Sequence, residues 1–393
     1  MALNDWPTVL NEIVKGLNEI SDLLQDDESD TDGEREGFVK GIIKRRGFRM
    51  VDGSNKNQLL LGIDLGTSRT VVMSDGGTKT MVSSVVGYPK DIIAIKLLGQ
   101  AHIIGEEAVE KRSYLELYHP LQDGVLKEAS ERDQEAARLL VGHAVGLAEP
   151  RQGDEVCGII GVPARASIAN KERLLKIAKE YLDIAMVVSE PFMVAYHMGK
   201  LKNSIIVDIG AGTIDICAMK GTLPAAEDQA TIIKGGDYID ELLATAINES
   251  YPEVQMTTHL ARTIKEKHSF VGEPPEKAFV RLRAGGKPSS FDLTDEIRVA
   301  CETVVSIIVE NLEALILRFD PEDQEEALRN IYVAGGGSQI RGLDNVLALS
   351  LADYGDVRVQ CVSDPEYAGC AGALKLSMDL PPKYWDQVGD LAG

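Results

Sequence analysis

The sequence predicts an α/β protein built from two lobes, and three observations support this prediction. The chain has 393 residues, enough for two domain-sized cores. Beyond residue 57, short β-branched runs alternate with glycine-rich turns and amphipathic stretches. A similar Asp-Gly turn also follows an apolar run twice, at residues 62–68 and at residues 208–215. One such turn in each lobe is the expected arrangement.

Composition excludes several classes of function. No apolar run approaches the roughly 20 residues that span a bilayer, and the N-terminus lacks the pattern of a signal peptide. The formal net charge of -21 repels phosphate backbones and anionic lipid. The five cysteines show no close Cys-x-x-Cys pairing, so we expect reduced core residues. We therefore expect a cytoplasmic protein with no nucleic acid partner and no direct membrane insertion.

Residues 1–58 form an N-terminal extension of different composition. Apolar residues at helical spacing predict one amphipathic helix over residues 9–24, followed by an acidic run at 26–36 and a basic stretch at 40–49. The segment is either a solvated tail with a fraying helix or a helix that docks on a partner or a neighbouring subunit.

The remaining chain divides into lobe I (59–206), lobe II (207–362) and a return to lobe I with a C-terminal tail (363–393). Apolar runs predict buried strands or strand pairs at residues 59–64, 156–162, 204–218 and 330–334. Helical periodicity predicts helices at residues 130–147, 169–182, 237–249 and 294–319.

The first turn, residues 62–68 (GIDLGTS), and the second turn, residues 208–215 (DIGAGTID), have the composition of phosphate-binding turns. Small residues let backbone N–H groups curl toward an anion, and Asp64 and Asp208 offer oxygens suited to a hydrated Mg²⁺. One such turn alone is also an ordinary β-turn pattern. Two of them favour a polyphosphate clamp, with the candidate contacts Gly66, Thr67, Ser68, Gly210, Ala211, Gly212 and Thr213.

The third turn, residues 334–343 (AGGGSQIRGL), again follows an apolar run. Consecutive glycines let a flat, bulky group such as adenosine approach the backbone. A flexible surface loop is the alternative, but a linker need not begin directly at a buried strand. The candidate contacts are Gly335, Gly336, Gly337 and Ser338.

In this order, the three turns resemble the phosphate 1, phosphate 2 and adenosine motifs of the actin, Hsp70 and sugar-kinase superfamily, over about residues 59–376. Residues 161–164 with 190–191, and 364–365 with 368–373, resemble its two connecting segments. Residues 87–91, 120–125 and 189–193 are most similar to the MreB/MamK group of bacterial actins, with the magnetosome filament family MamK nearest. The resemblance implies an actin-like fold: two lobes, each on a mixed five-stranded sheet with flanking helices, and the nucleotide in the cleft between them.

The resemblance also implies roles for individual residues. Glu190 would orient or deprotonate the attacking water, although a carboxylate before Pro191 also suits a helix cap. Asp64 and Asp208 would contribute to catalysis by holding Mg²⁺ through water molecules. The remaining nucleotide contacts would be Gly236 and Asp237, together with Lys265 and Glu266 near adenine and ribose. For the last two, a charged pair on an exposed helix face is the alternative.

We therefore expect an ATPase that uses ATP/ADP and Mg²⁺ and assembles with itself into cytoplasmic, cytoskeletal filaments alongside magnetosomes, with magnetosome-associated proteins as further partners. Alternatives with the same cleft are a non-polymerising ATP-binding adaptor, a small-molecule kinase and a chaperone. Only residues 379–393 follow the second connecting segment, too few for the substrate domain of a chaperone.

Overall fold

The computed structural model describes residues 57–127, 130–221, 223–274, 276–381 and 385. The predicted helix, acidic run and basic stretch of the N-terminal extension lie outside these residues, as does most of the predicted C-terminal tail. Gln58, assigned to the extension, already belongs to the first strand.

The strands are β1 (Gln58–Leu65), β2 (Arg69–Ser74), β3 (Lys79–Ser83), β4 (Val86–Pro89), β5 (Ile103–Ile104), β6 (Leu115–Tyr118), β7 (Leu121–Gln122), β8 (Val125–Leu126), β9 (Glu155–Val162), β10 (Ile184–Ser189), β11 (Lys202–Ile209), β12 (Ile214–Lys220), β13 (Gln229–Ile232), β14 (Phe279–Ala284), β15 (Lys287–Asp292), β16 (Ile331–Ala334) and β17 (Val359–Cys361). The helices are α1 (Ile92–Leu98), α2 (Glu106–Glu110), α3 (Glu131–Gly146), α4 (Ile168–Ala178), α5 (Glu190–Met198), α6 (Gly236–Ser250), α7 (Thr258–His268), α8 (Thr294–Ile316), α9 (Pro321–Leu328), α10 (Leu343–Ser350) and α11 (Ala368–Asp379).

Two mixed five-stranded sheets have the same topology. The first has the order β10-β9-β1-β2-β3 and the second the order β13-β12-β11-β16-β17. In each sheet the central strand pairs antiparallel with its successor on one side and parallel with a later strand on the other. The expected fold class is therefore confirmed, including the two mixed sheets. The predicted boundary after residue 206 falls inside β11, and the division into domains stays a prediction.

The topology brings chemistry-bearing residues to one edge of each sheet. Strands β1, β9 and β10 run parallel, so their carboxyl ends meet where Asp64 and Glu190 lie. Strands β11 and β16 are also parallel, and their carboxyl ends meet at Asp208 and at the start of the third turn. Ligands of α/β sheets bind at such carboxyl edges.

A buried helical layer separates the two sheets. Residues 191–196 of helix α5 are buried in succession, and Phe192 and Tyr196 pack in one core with Ile159 of the first sheet and Ile206 of the second. Helix α11 and the buried Trp385 complete this layer. Further cores cover the outer faces, with α3 and α4 on the first sheet and α6, α8 and α10 on the second.

Helix α11 contacts its neighbours almost backbone to backbone. A Cβ added at Gly372 would lie 1.9 Å from the carbonyl oxygen of Met193 in α5. One added at Gly62 in β1 would lie 2.4 Å from the carbonyl oxygen of Cys370 in α11. Glycine is required here for close approach, which keeps α5 and its first residue, Glu190, tight against the first sheet.

The sequence predictions of secondary structure agree with the structure at every named core strand and helix. The predicted run at 204–218 is the antiparallel pair β11–β12, and the helix predicted at 130–147 is α3, capped by Ser130. Four cysteines are buried as expected, whereas Cys361 on the edge strand β17 is exposed. Among the described residues, no helix is both long and apolar enough to cross a membrane.

We predict that Gly372→Ala lowers the free energy of unfolding by about 1–3 kcal/mol, because the added methyl group must displace backbone of α5. Urea unfolding of the nucleotide-free protein measures this change. Gly146→Ala is the matched control, since a Cβ at Gly146 in α3 meets nothing within 4 Å and alanine is the better helix former. Equal stability of the two variants would show that the α5–α11 contact is not tight.

Candidate active site

A cleft of about 390 Å³ lies between the two sheets, a volume typical of small-ligand sites. It brings together residues of the first, second and third turns that are far apart in sequence. The predicted site residues that line it are Asp64, Gly66, Thr67, Ser68, Glu190, Asp208, Gly210, Ala211, Gly212, Thr213, Gly236, Asp237, Lys265, Glu266, Gly335, Gly336 and Gly337. Ser338, the remaining predicted contact, does not line the cleft.

Three carboxyl groups form the floor of this cleft. Burial raises the pKa of Asp64 to about 6. Burial, followed by the charges of Asp64 and Asp215, raises the pKa of Asp208 well above its usual range. The pKa of Glu190 is raised in the same way, by burial first and then by the three aspartates. The floor therefore disfavours the ionised forms of these carboxyl groups while the cleft is empty, and a cation beside them would favour those forms.

Two hydrogen bonds from other parts of the chain hold the hydroxyl groups of the first turn in place. The N–H of Gly124 donates to Thr67 Oγ1 at 2.8 Å, and Arg262 Nη1 donates to Ser68 Oγ at 3.0 Å. Gly124 lies at the tip of the β7–β8 hairpin, where Asp123 and Gly124 both have positive φ, as in a tight two-residue turn. In both bonds the hydroxyl oxygen is the acceptor, so each hydroxyl group can still donate its hydrogen to another acceptor.

The second turn is fastened to the N-terminus of helix α6. The N–H groups of Gly236 and Asp237 donate to the carbonyl oxygens of Gly210 and Ala211, at 3.0 and 2.8 Å. Gly235 must be glycine here, because a Cβ would lie 2.5 Å from the carbonyl oxygen of Ala211. Gly236 and Asp237 thus shape the second turn as well as lining the cleft, and their N–H groups are already engaged.

The third turn crosses the end of β11. Gly335 has φ of 74°, and a Cβ there would lie 2.4 Å from Asp208 Oδ1. A Cβ at Gly337 would collide with the side chain of Ile209, whereas one at Gly336 has its nearest neighbour 3.6 Å away. Ser338 is buried and donates to the carbonyl oxygen of Gly335 at 2.7 Å, so it braces the turn from behind.

Lys265 and Glu266 do not form the simple exposed charge pair of the alternative interpretation. Lys265 Nζ contacts Asp240 Oδ1 and the carbonyl oxygen of Gly236, both at 2.7 Å. Glu266 accepts from Arg69 Nη2 of the other lobe at 2.9 Å. Both side chains line the cleft, which agrees in position with the predicted nucleotide contacts.

Sequence reasoning missed several residues of the site. Arg262, Arg69 and Gly124 line the cleft and connect its turns, and Asp215 joins the lobes beneath it by accepting from the N–H of Ala164 at 2.8 Å. A weak signal existed for Arg262, which lies three residues before Lys265 on helix α7. Its function depends on a contact to Ser68, 194 residues away, that local pattern cannot indicate.

The residues present fit a nucleotide with a divalent cation. Glycine-rich backbone and paired hydroxyl groups suit the phosphates, and oxygen ligands at the floor suit Mg²⁺. In the described part of the chain, no group of three or more His, Cys, Asp or Glu side chains converges to enclose a metal ion. Binding of Mg²⁺ through water stays a prediction.

Comparisons with known proteins agree with this geometry. The family model of MreB/Mbl proteins matches residues 58–381. The actin-like protein MamK of Paramagnetospirillum magneticum is 55% identical over 342 residues, covering 87% of this chain and 99% of the relative. A structure described as a MamK double helical filament has a TM-score of 0.82, covering 83% of this chain and 100% of that chain, at 55% identity. A non-polymerising MamK mutant bound to AMPPNP has a TM-score of 0.66, covering 82% and 100%, also at 55% identity.

We predict that ionisation of Asp64 destabilises the metal-free, nucleotide-free protein. The folded state binds this proton more tightly than the unfolded chain, because burial raises the pKa of Asp64 from 3.8 to about 6. The resulting stabilisation is present below about pH 4 and is lost as the pH rises through about 6. Above about pH 6, Asp64→Asn should therefore be more stable than the wild type.

Urea unfolding over a pH series in EDTA measures this difference. Asp353→Asn, an exposed position outside the cleft, is the control and should follow the wild-type profile. If Asp64→Asn also runs parallel to the wild type across the series, burial of Asp64 does not oppose its ionisation.

Proposed function

Because the chain belongs to the MreB/Mbl family of actin-like proteins, we propose that it binds and hydrolyses ATP in the inter-lobe cleft and polymerises into filaments. The observation that carries this proposal is the convergence of three phosphate-type turns and three carboxyl groups in a single cleft. No residue that lines this cleft belongs to a zinc or serine-hydrolase motif, so nucleotide chemistry has no rival there.

One relative supports ATP as the nucleotide. A MamK variant 55% identical to this chain binds AMPPNP, an ATP analogue. In this chain, the backbone of the first and second turns would receive the phosphates, with Thr67 and Ser68 as additional donors. The third turn, backed by Ile209 and Ser338, would receive the adenosine.

The three carboxyl groups divide the catalytic work. Asp64 and Asp208 would hold Mg²⁺ through water, and the ion would supply positive charge that offsets the charge of the phosphates. Glu190, at the first position of α5, would orient the attacking water and accept its proton. Its raised pKa opposes this role in the empty cleft, and a cation beside it favours its ionised form.

Assembly into filaments is supported by structural similarity. The chain matches the subunit of a MamK filament with a TM-score of 0.82 and 55% identity. Hydrolysis would act on assembly by changing lobe closure and so the contacts between subunits.

We also propose that these filaments lie in the cytoplasm alongside magnetosomes, in contact with magnetosome-associated proteins. Imaging of labelled protein together with magnetosomes in cells tests this location.

We predict that Glu190→Gln slows phosphate release by about 10²–10⁴-fold, because the amide cannot accept the proton of the attacking water. Binding of a fluorescent ATP analogue should change little, since the phosphate and adenosine contacts are retained. The steady-state rate of phosphate release with Mg-ATP measures the first effect. Glu310→Gln, at an exposed position of α8, should keep the wild-type rate. Wild-type hydrolysis by Glu190→Gln would remove Glu190 from the catalytic residues.

We predict that Mg-ATP makes the purified protein sediment at high speed as ordered filaments. Samples with Mg-ADP and without nucleotide are the controls, and negative-stain electron microscopy of the pellets distinguishes filaments from aggregate. Protein that stays soluble under all three conditions would contradict assembly and favour the non-polymerising adaptor or kinase.

A further inference from the structure

One face of helix α7 reaches across the cleft to two successive residues of the other lobe. Arg262 and Glu266 are four residues apart and therefore lie on the same face of the helix. Arg262 Nη1 donates to Ser68 Oγ at 3.0 Å, and Arg69 Nη2 donates to Glu266 Oε1 at 2.9 Å. Both contacts line the cleft, and they join the end of the first turn and the start of β2 to the second lobe.

Arg262 is held far more rigidly than Glu266. Its Nη2 donates to Asp237 Oδ1 at 2.6 Å and its Nε to Asp240 Oδ2 at 2.9 Å, and only 1% of the Asp240 side chain is exposed. Lys265 binds the other oxygen of Asp240. Because the guanidinium group is planar, two fixed donors also fix the direction of the third, which is the one that contacts Ser68.

The Arg69–Glu266 contact is weaker by comparison. Both side chains are about half exposed, and Arg69 also pairs with Glu366. An exposed ion pair of this kind contributes little and is screened by salt. Of these two contacts of α7, the partly buried bond from Arg262 to Ser68 is therefore the stronger link between the lobes.

We propose that Arg262 is a positioning residue that aims the Ser68 hydroxyl at the nucleotide phosphates and thereby couples phosphate binding to the closed arrangement of the lobes. This inference rests on the proposed ATP-binding function. Ser68 accepts the N–H of Arg262 with a lone pair, so its own hydrogen is directed to a different acceptor, and the cleft is where a phosphate oxygen would lie. Arg262 belongs to the second lobe, so this orientation exists only while the lobes are close together.

A purely structural role makes a different prediction. If Arg262 only neutralises Asp237 and Asp240, its replacement lowers stability without interacting with Ser68 in nucleotide release. A double-mutant cycle separates the two roles, because residues that act through one contact are not additive.

The cycle compares wild type, Arg262→Lys, Ser68→Ala and the double variant, each as the full chain below the concentration at which it sediments. Release of a fluorescent ATP analogue in Mg²⁺, chased with unlabelled ATP, is the readout. Each single change should raise the release rate by about tenfold, the effect of losing a hydrogen bond to a charged group, and the double variant should release no faster than the faster single one. Arg298→Lys, in an exposed pair with Asp295, should leave the rate unchanged.

Two results would overturn the proposed role of Arg262, and a third would overturn the proposed nucleotide function. If the fold-changes of the two single variants multiply in the double variant, Arg262 does not act through Ser68. Ser68→Ala removes only a hydroxyl group, so a wild-type release rate in this variant alone also overturns the proposal, even where Arg262→Lys fails to fold. If the wild type binds no ATP analogue, the proposed nucleotide function itself is wrong.

Discussion

The burial of three neighbouring carboxyl groups, those of Asp64, Glu190 and Asp208, is the constraint on which the rest of the structure depends. These carboxyl groups lie at the carboxyl ends of β1, β10 and β11, where burial raises all three pKa values and neighbouring carboxyl groups raise those of Glu190 and Asp208 further. Such an arrangement lowers the stability of the empty protein. It persists because the apolar layer beneath it is tightly packed, with α5 and α11 fixed between two sheets.

That same layer restricts how the lobes can move. Tight cores resist continuous deformation, so a change in the cleft is expected as a rigid-body movement of the lobes. Helix α5 carries Glu190 at its start and packs against both sheets, and Asp215 ties the second sheet to the first lobe at Ala164. Movement of one lobe therefore alters the surroundings of Glu190 directly. The cleft side of the molecule depends on weaker contacts, chiefly those of helix α7 with Ser68 and Arg69.

The sequence was informative where local pattern and local structure coincide. Each core strand and helix has its own periodicity, and each phosphate-type turn follows directly on its strand, so the fold and most cleft residues could be predicted. Ser338 could not be separated from its neighbours, because its burial follows from how the third turn folds back on Gly335. Gly124 and Arg262 depend on the tertiary placement of a hairpin and a helix. Neither residue carries a local pattern that distinguishes it from ordinary turn and surface residues.

Charge decides how a polyphosphate can enter this cleft. Six acidic side chains line it (Asp64, Glu190, Asp208, Asp237, Glu266 and Glu366) against three basic ones (Arg69, Arg262 and Lys265). The basic groups are already paired, Arg262 and Lys265 with Asp240 and Arg69 with Glu366. Because the basic groups are engaged with carboxylates, the side chains offer a phosphate chain little net attraction, and backbone N–H groups provide partial charges only. A divalent cation held near Asp64 and Asp208 would supply positive charge at the floor of the cleft, so nucleotide and metal ion are expected to bind as one unit rather than in independent steps.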